Sequence, residues 1–313
     1  MSGAVYPPVQ ALPVNVLLLF LDGVGLAPDH PTNNPMGRVG PGFRAFTGGR
    51  PWTAETGPWF GPFRMFAGID ACLGLPGLPQ SGTGQSTLFT GVNCAALAGR
   101  HYGPLPHSSA RPVLRESSIL RKVADRFGPD AAVFANGFPP QFVEAVSQRD
   151  RWPTIARCCR DAGIRIRDLA DIGSLRAVAA DVTGLGLSRF TDGAVEPRSP
   201  DEAASVLLDL AERARFTVFE VFHTDKAGHD QSPAKAMRIL DDVDALLWSL
   251  VVRMPGNLTL VVTSDHGNVE DLSVRTHTRN QVPLAVRGPG APLFEPVTDL
   301  SGITPVVLAL LDP

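Results

Sequence analysis

Three apolar runs in this chain end in side chains able to ligate metal, and that recurrence constrains the fold more than any other feature. VLLLFL leads into Asp22, FTVFEVF into His223 and Asp225, and LTLVVTS into Asp265 and His266. Unbroken apolar runs mark strands covered on both faces, as in a parallel sheet between helix layers. In such sheets ligands gather beyond the carboxyl ends of the strands, so these residues are expected to converge in space.

Strands are expected over residues 14–21, 131–135, 216–222 and 258–263, with strand character also over 63–73. Helices are expected over 116–127, 153–162, 201–214, 233–252 and 303–311, the last capped by Asp299 or Ser301. A further helix over 83–91 places Ser81 just before its start. The pattern predicts an α/β fold: a three-layer α/β/α sandwich around a mostly parallel sheet. Residues 1–13, proline-rich and without apolar period, read as a loose arm. Residues 14–313 read as one domain, in which 100–200 form either a sheet extension or a small cap. The Gly/Pro-rich stretch 23–62 is too long for a passive connector and reads as a loop region folded over a site.

A formal net charge of −3 over 313 residues lacks the global attraction that accompanies nucleic-acid binding, so a phosphate would have to be held locally. The apolar run before Asp22 is too short to span a bilayer. Cys72, Cys94, Cys158 and Cys159 form no CxxC pair, which fits a reducing cytoplasm. Oligomeric state stays open.

Asp225 and His229 are four apart and share a face if the chain turns helical there, with Gly228 letting the backbone pass close to a bound group. With Asp22, Asp265, His266 and His277 they make a mixed oxygen and nitrogen donor set suited to Zn²⁺ or Mn²⁺. Three clustered carboxylates without cations would repel each other and take up protons. Two dications would balance three aspartates and one serine alkoxide. A lone strand-end Asp is ordinarily a turn former or a cap, and a lone Ser81 an N-cap; the combination is what singles them out.

The strings LDGVG, SGTGQ, TDKAGH, TSDHGN and HTRNQVP, in this order over residues 16–311, resemble the alkaline phosphatase superfamily, in particular its branch of cofactor-independent phosphoglycerate mutase and phosphopentomutase. The resemblance implies two divalent metal ions, Mn or Zn, and a small phosphorylated substrate. One ion would be held by Asp22, Asp265, His266 and the nucleophile Ser81, the other by Asp225, His229 and His277. Ser81 fits the family spacing to Gly84 and Gly91, with Ser86 as runner-up. Gly82, Gln85, Arg100, Lys226 and Arg279 are candidates for substrate contact.

Mutases of the family usually carry His where Gln85 stands, and they use a large cap, so the sequence favours a phosphohydrolase with a phosphoserine intermediate over a phosphomutase. A catalytically silent metal-binding domain is a third reading. A dinucleotide fingerprint at Gly23 and Gly25 lacks its third glycine, no GxxxxGK[ST] loop exists, and a serine hydrolase would need GxSxG. Thr83 and Gln85 depart from the sulfatase pattern.

Overall fold

The computed structural model describes residues 13–312. The expected arm therefore lies, Pro13 apart, outside the described residues. Among the described residues nine strands occur in chain order: β1 (Asn15–Leu21), β2 (Trp59–Gly61), β3 (Arg64–Ile69), β4 (Ala132–Phe134), β5 (Gly137–Phe138), β6 (Arg167–Asp168), β7 (Phe216–Val221), β8 (Leu258–Thr263) and β9 (Val282–Arg287). Seven of them build one sheet in the order β2-β3-β9-β8-β1-β7-β4, and β5 pairs with β6 apart from it. The block β8-β1-β7-β4 is parallel, whereas β9, β3 and β2 extend it by antiparallel pairing.

The apolar runs follow from this position. In β1, Val16, Leu18 and Phe20 enter one core while Leu17, Leu19 and Leu21 enter the other. A strand packed on both faces has no room for polar alternation. Helices Ser81–Thr90, Ile119–Phe127, Thr154–Ala162 and Ile303–Leu311 cover the first face. Helices Pro200–Arg213 and Pro233–Arg253 cover the second. The start of Pro200–Arg213 is fixed by a capping box between Ser199 and Glu202, with Pro200 in the first turn.

Several features differ from the expectations, one being that Ser81 opens its helix, with Gln80 before it, instead of preceding a start at residue 83. The helix expected over 116–127 is two, Ala110–Ser117 and Ile119–Phe127, because Ser118 turns the chain and accepts from the Arg121 amide at 3.3 Å. Strand β9 was not anticipated. Only the first residues of the stretch 23–62, Gly23 to Gly25, stand at the strand ends, and from Met36 on it packs on the second face rather than over a site: Phe43, Phe46 and Trp52 are fully buried, the Phe43 amide donates to Asp244 Oδ1 at 3.0 Å, and Trp52 Nε1 donates to the Phe43 carbonyl at 2.8 Å.

Within 100–200, β4 adds an edge strand and three helices bury Leu114, Ile119, Leu120, Val123 and Ile155 in the first core. Beyond them, Ile172, Ala177, Ala179 and Val195 make a small satellite core. The four cysteines are buried and free, and no helix among the described residues is long and apolar enough to cross a membrane.

Candidate metal centre

Strand register brings the three acidic ends level. Leu21 stands beside Val221 and Phe20 beside Thr263, so Asp22, Asp225 and Asp265 emerge at the same rim. Two clusters result. Ligating atoms of Asp22, Asp265 and His266 lie within 4.8 Å of one another, and so do those of Asp225, His229 and His277. The rings of His266 and His277 stack with centroids 3.7 Å apart and join the clusters into one centre. Ser81 Oγ hydrogen-bonds His266 Nε2 at 2.9 Å, and that Nε2 is 3.4 Å from Asp22 Oδ1.

Local structure explains each placement. Residues His223–His229 form a helix, so Asp225 and His229 share a face, with Oδ2 and Nε2 3.3 Å apart. His229 Nδ1 donates to the Arg275 carbonyl and His277 Nδ1 to the Pro79 carbonyl, each at 2.7 Å. Those bonds fix the rings and leave both Nε2 atoms, 3.2 Å apart, as the donors facing the centre. Gly23 turns the chain with φ 68°, and a Cβ there would meet Asp225 Oδ1 at 2.6 Å. At Gly84 a Cβ would stand 2.9 Å from the Asp265 carbonyl oxygen, so glycine lets the Ser81 helix lie against the end of β8. Gly228 makes room for protein instead of a bound group: its absent Cβ would lie 2.5 Å from Asn268 Oδ1.

The centre is electrostatically unbalanced in a way that suits cations. Burial, then Asp265, Asp225 and Glu220, raises Asp22 well above the carboxylate range. Burial and Asp225 push Asp265 to about 7, and burial and Asp265 push Glu220 to about 8. Burial, then His277, lowers His266 to about 3, which keeps its imidazole neutral. Asp22 Oδ1 and both carboxylate oxygens of Asp265 are buried without a hydrogen-bond partner, and no Lys or Arg pairs with either residue among the described residues. Orphaned carboxylate oxygens beside the neutral imidazole of His266 are the donor set of a divalent-metal site.

Among the candidates for substrate contact, Gln85 Nε2 donates to Asp22 Oδ2 at 3.3 Å and so faces the centre. Gly82 packs against the carbonyls of Tyr102 and Leu105. Arg100 is exposed over the Tyr102 ring, and Arg279 is exposed and donates to the Gly77 carbonyl, in the loop that delivers Ser81. Lys226 lies on another side of its helix from Asp225, lining a pocket of about 380 Å³ with Arg238 and Asp242.

Sequence reasoning passed over two residues. Asn268 Nδ2 donates to Asp225 Oδ1 at 2.7 Å and ties the clusters together; the string TSDHGN contains it, but the reading ended at His266. Glu270 is fully buried and accepts from the Gly25 amide at 2.9 Å, the Asn268 amide at 2.7 Å, Asn280 Nδ2 at 3.0 Å and the Thr278 hydroxyl. It thereby clamps the loop after β1 and the loop after β8 to the segment carrying His277. A Cβ at Gly25 or Gly267 would collide with its carboxylate.

Fold and site together define a three-layer α/β protein of the alkaline-phosphatase-like architecture. The chain superposes on a Pyrococcus horikoshii protein over 97% of its own length and 98% of that chain, with a TM-score of 0.56 and 14% identity. On the alkaline phosphatase of the Antarctic bacterium TAB5 it superposes over 96% and 98%, with a TM-score of 0.51 and 15% identity. More particularly, residues 194–312 match the model of the Metalloenzyme superfamily. The 2,3-bisphosphoglycerate-independent phosphoglycerate mutase of Methanocorpusculum labreanum is 28% identical over 184 residues, 56% of this chain and 44% of that protein. The phosphopentomutase of Anaeromyxobacter dehalogenans is 25% identical over 224 residues, 66% of this chain and 52% of that one. The chain thus spans about half the length of these relatives or less.

Proposed function

We propose that this chain is a metal-dependent phosphoryl-transfer enzyme that hydrolyses a small phosphoester with Ser81 as its nucleophile. The observation that carries this reading is the hydroxyl of Ser81, 2.9 Å from His266 Nε2, at the start of a helix and against the first of two adjoining ligand clusters. Asp22, Asp265, His266 and Ser81 would hold one divalent ion, and Asp225, His229 and His277 the other. Bound there, the two ions, zinc or manganese, would supply positive charge to the serine oxygen and to the transferred phosphoryl group.

The protein's own part is placement. Ser81 Oγ attacks phosphorus, the bond to the ester oxygen breaks, and water then cleaves the phosphoserine. The helix start at Ser81 adds a favourable dipole for phosphate oxygens. Gln85 and Asn268 hold the Asp22 and Asp225 carboxylates in orientation.

Two observations favour hydrolysis over internal transfer. The His229 side chain is 45% exposed, which gives water a path to the centre. The helices Ala110–Ser117, Ile119–Phe127 and Thr154–Ala162 are spent on the core. The mutase reading draws its support from the relatives, which are a phosphoglycerate mutase and phosphopentomutases. Product analysis separates the two, since hydrolysis frees inorganic phosphate and a mutase returns a positional isomer.

The proposal is tested by turnover of p-nitrophenyl phosphate with added Mn²⁺ or Zn²⁺, before and after chelation. Ser81→Ala is expected to abolish turnover while bound metal, measured by elemental analysis, is retained. Undiminished turnover in that variant refutes the assignment.

A further inference from the structure

A second crevice lies far from the metal centre. It runs along the free edge of β4 and is reached from the amino ends of β4 and β7, at Pro129–Ala132 and Arg213–Ala214, with a volume of about 580 Å³. That size is within the range of small-molecule sites. Its walls mix apolar side chains, Ile164 and Leu210 among them, with four guanidinium groups: Arg165, Arg167, Arg176 and Arg213. The carboxylates among the lining residues are the exposed Asp130 and Asp209.

What distinguishes this crevice from a solvated patch of arginines is that part of it is fixed in place. Asp171, fully buried, accepts from Arg165 at 3.0 and 2.7 Å and from Arg176 Nε at 3.1 Å. The Asp168 amide, donating to Asp171 Oδ2 at 3.0 Å, secures that carboxylate in a capping box. Both guanidiniums are thus held by one edge and keep further N–H groups free. Arg167 sits between them in charge terms: burial, joined by Arg165 and Arg176, pushes it below the ordinary arginine range, although Asp171 opposes this. It has no hydrogen-bond or ion-pair partner among the described residues. With Asp168 3.9 Å from Arg165, the anchored pair is matched by two carboxylates, and Arg167 and Arg213 are the guanidiniums whose N–H groups are left to the crevice.

We infer that this crevice binds a small molecule carrying at least two anionic oxygen groups, phosphates or carboxylates, at a site separate from the metal centre. Arg167 and Arg213 would meet the anionic groups directly, while Arg165 and Arg176 present the outer edges of their anchored guanidiniums. The inference does not depend on the chemistry proposed for Ser81. Bidentate guanidinium contacts favour planar or tetrahedral oxyanions over halide.

Calorimetric titration of methylenediphosphonate and, separately, tricarballylate into the metal-loaded full chain at low salt tests it. Saturable binding is expected, weakened about tenfold or more in Arg167→Ala and in Arg213→Ala, the loss of one charge-assisted contact each. Neither variant touches the Asp171 anchor, and the unliganded thermal midpoint is expected to stay put. Binding of the diphosphonate alone assigns the site to phosphates, and of the tricarboxylate alone to carboxylates. No saturable binding of either probe, or affinities in both variants within twofold of the parent, overturns the inference.

Discussion

Replacing Glu270 by Gln tests whether this buried clamp, which touches no reacting group, sets the geometry of the centre. The carboxylate accepts from two backbone amides on one oxygen and from the Thr278 hydroxyl and Asn280 Nδ2 on the other. A carboxamide preserves shape but keeps one acceptor. Its best orientation leaves the oxygen to Gly25 and Asn268 and turns its N–H₂ toward Thr278, which can accept, and Asn280, which cannot. Loss of charge assistance on two bonds and of one partner amounts to about 2–3 kcal/mol. Because the clamp ties the segment of His277 to the loops after β1 and β8, that loss is expected mainly as weaker metal binding, about 10- to 100-fold. Titration of Co²⁺, followed by its visible ligand-field bands, and denaturation with and without metal read the two quantities. Unchanged cobalt affinity together with a stability change below about 0.5 kcal/mol would refute the reasoning.

The chelated chain is expected to lose stability as pH rises from about 4 to about 8. Asp22, Asp265 and Glu220 carry raised values in the fold, so the native state holds more protons than the unfolded one across that window; His266, lowered to about 3, opposes them as a single group on the acid side. Urea midpoints at several pH values in chelator check this, and metal is expected to flatten or reverse the slope. Gly84→Ala places a methyl 2.9 Å from the Asp265 carbonyl and is expected to cut turnover about tenfold or more while helix content is kept, as steady-state kinetics and circular dichroism would show. Trp52→Ala removes a fully buried indole and is expected to cost about 3–5 kcal/mol while the folded fraction retains its metal affinity, which checks that the 23–62 stretch is scaffold.

Much of the centre was readable because two physical requirements coincide in the sequence. Strands covered on both faces leave unbroken apolar runs, and chemistry at their carboxyl ends leaves Asp or His directly after each run. β9 was hidden for the opposite reason. It is a short VPLAVR segment carrying Pro283, a residue that argues against a strand, and it pairs antiparallel outside the repeated pattern. The 23–62 stretch was misjudged because Phe43, Phe46 and Trp52 pack through irregular backbone and leave no period to detect. Glu270 could not be read at all: an acid between Val269 and Asp271 looks like any turn residue until four donors are seen to surround it. The arginine crevice was equally opaque, since its members come from β6, the flanks of the Leu169–Gly173 helix and the end of Pro200–Arg213.

The central seat of β1 has a consequence for how the chain comes to be folded. Its two hydrogen-bonding neighbours, β7 and β8, are synthesised only after the ribosome has passed residues 216 and 258. Until then VLLLFL is a sticky strand with both flanks unpaired, the kind of segment that aggregates or recruits a chaperone. Chain closure must therefore come late, when the final third slots in on either side of a strand made long before. That same event draws Asp22 between Asp225 and Asp265, so a newborn molecule acquires its metal-binding capacity in the same cooperative step that completes its sheet.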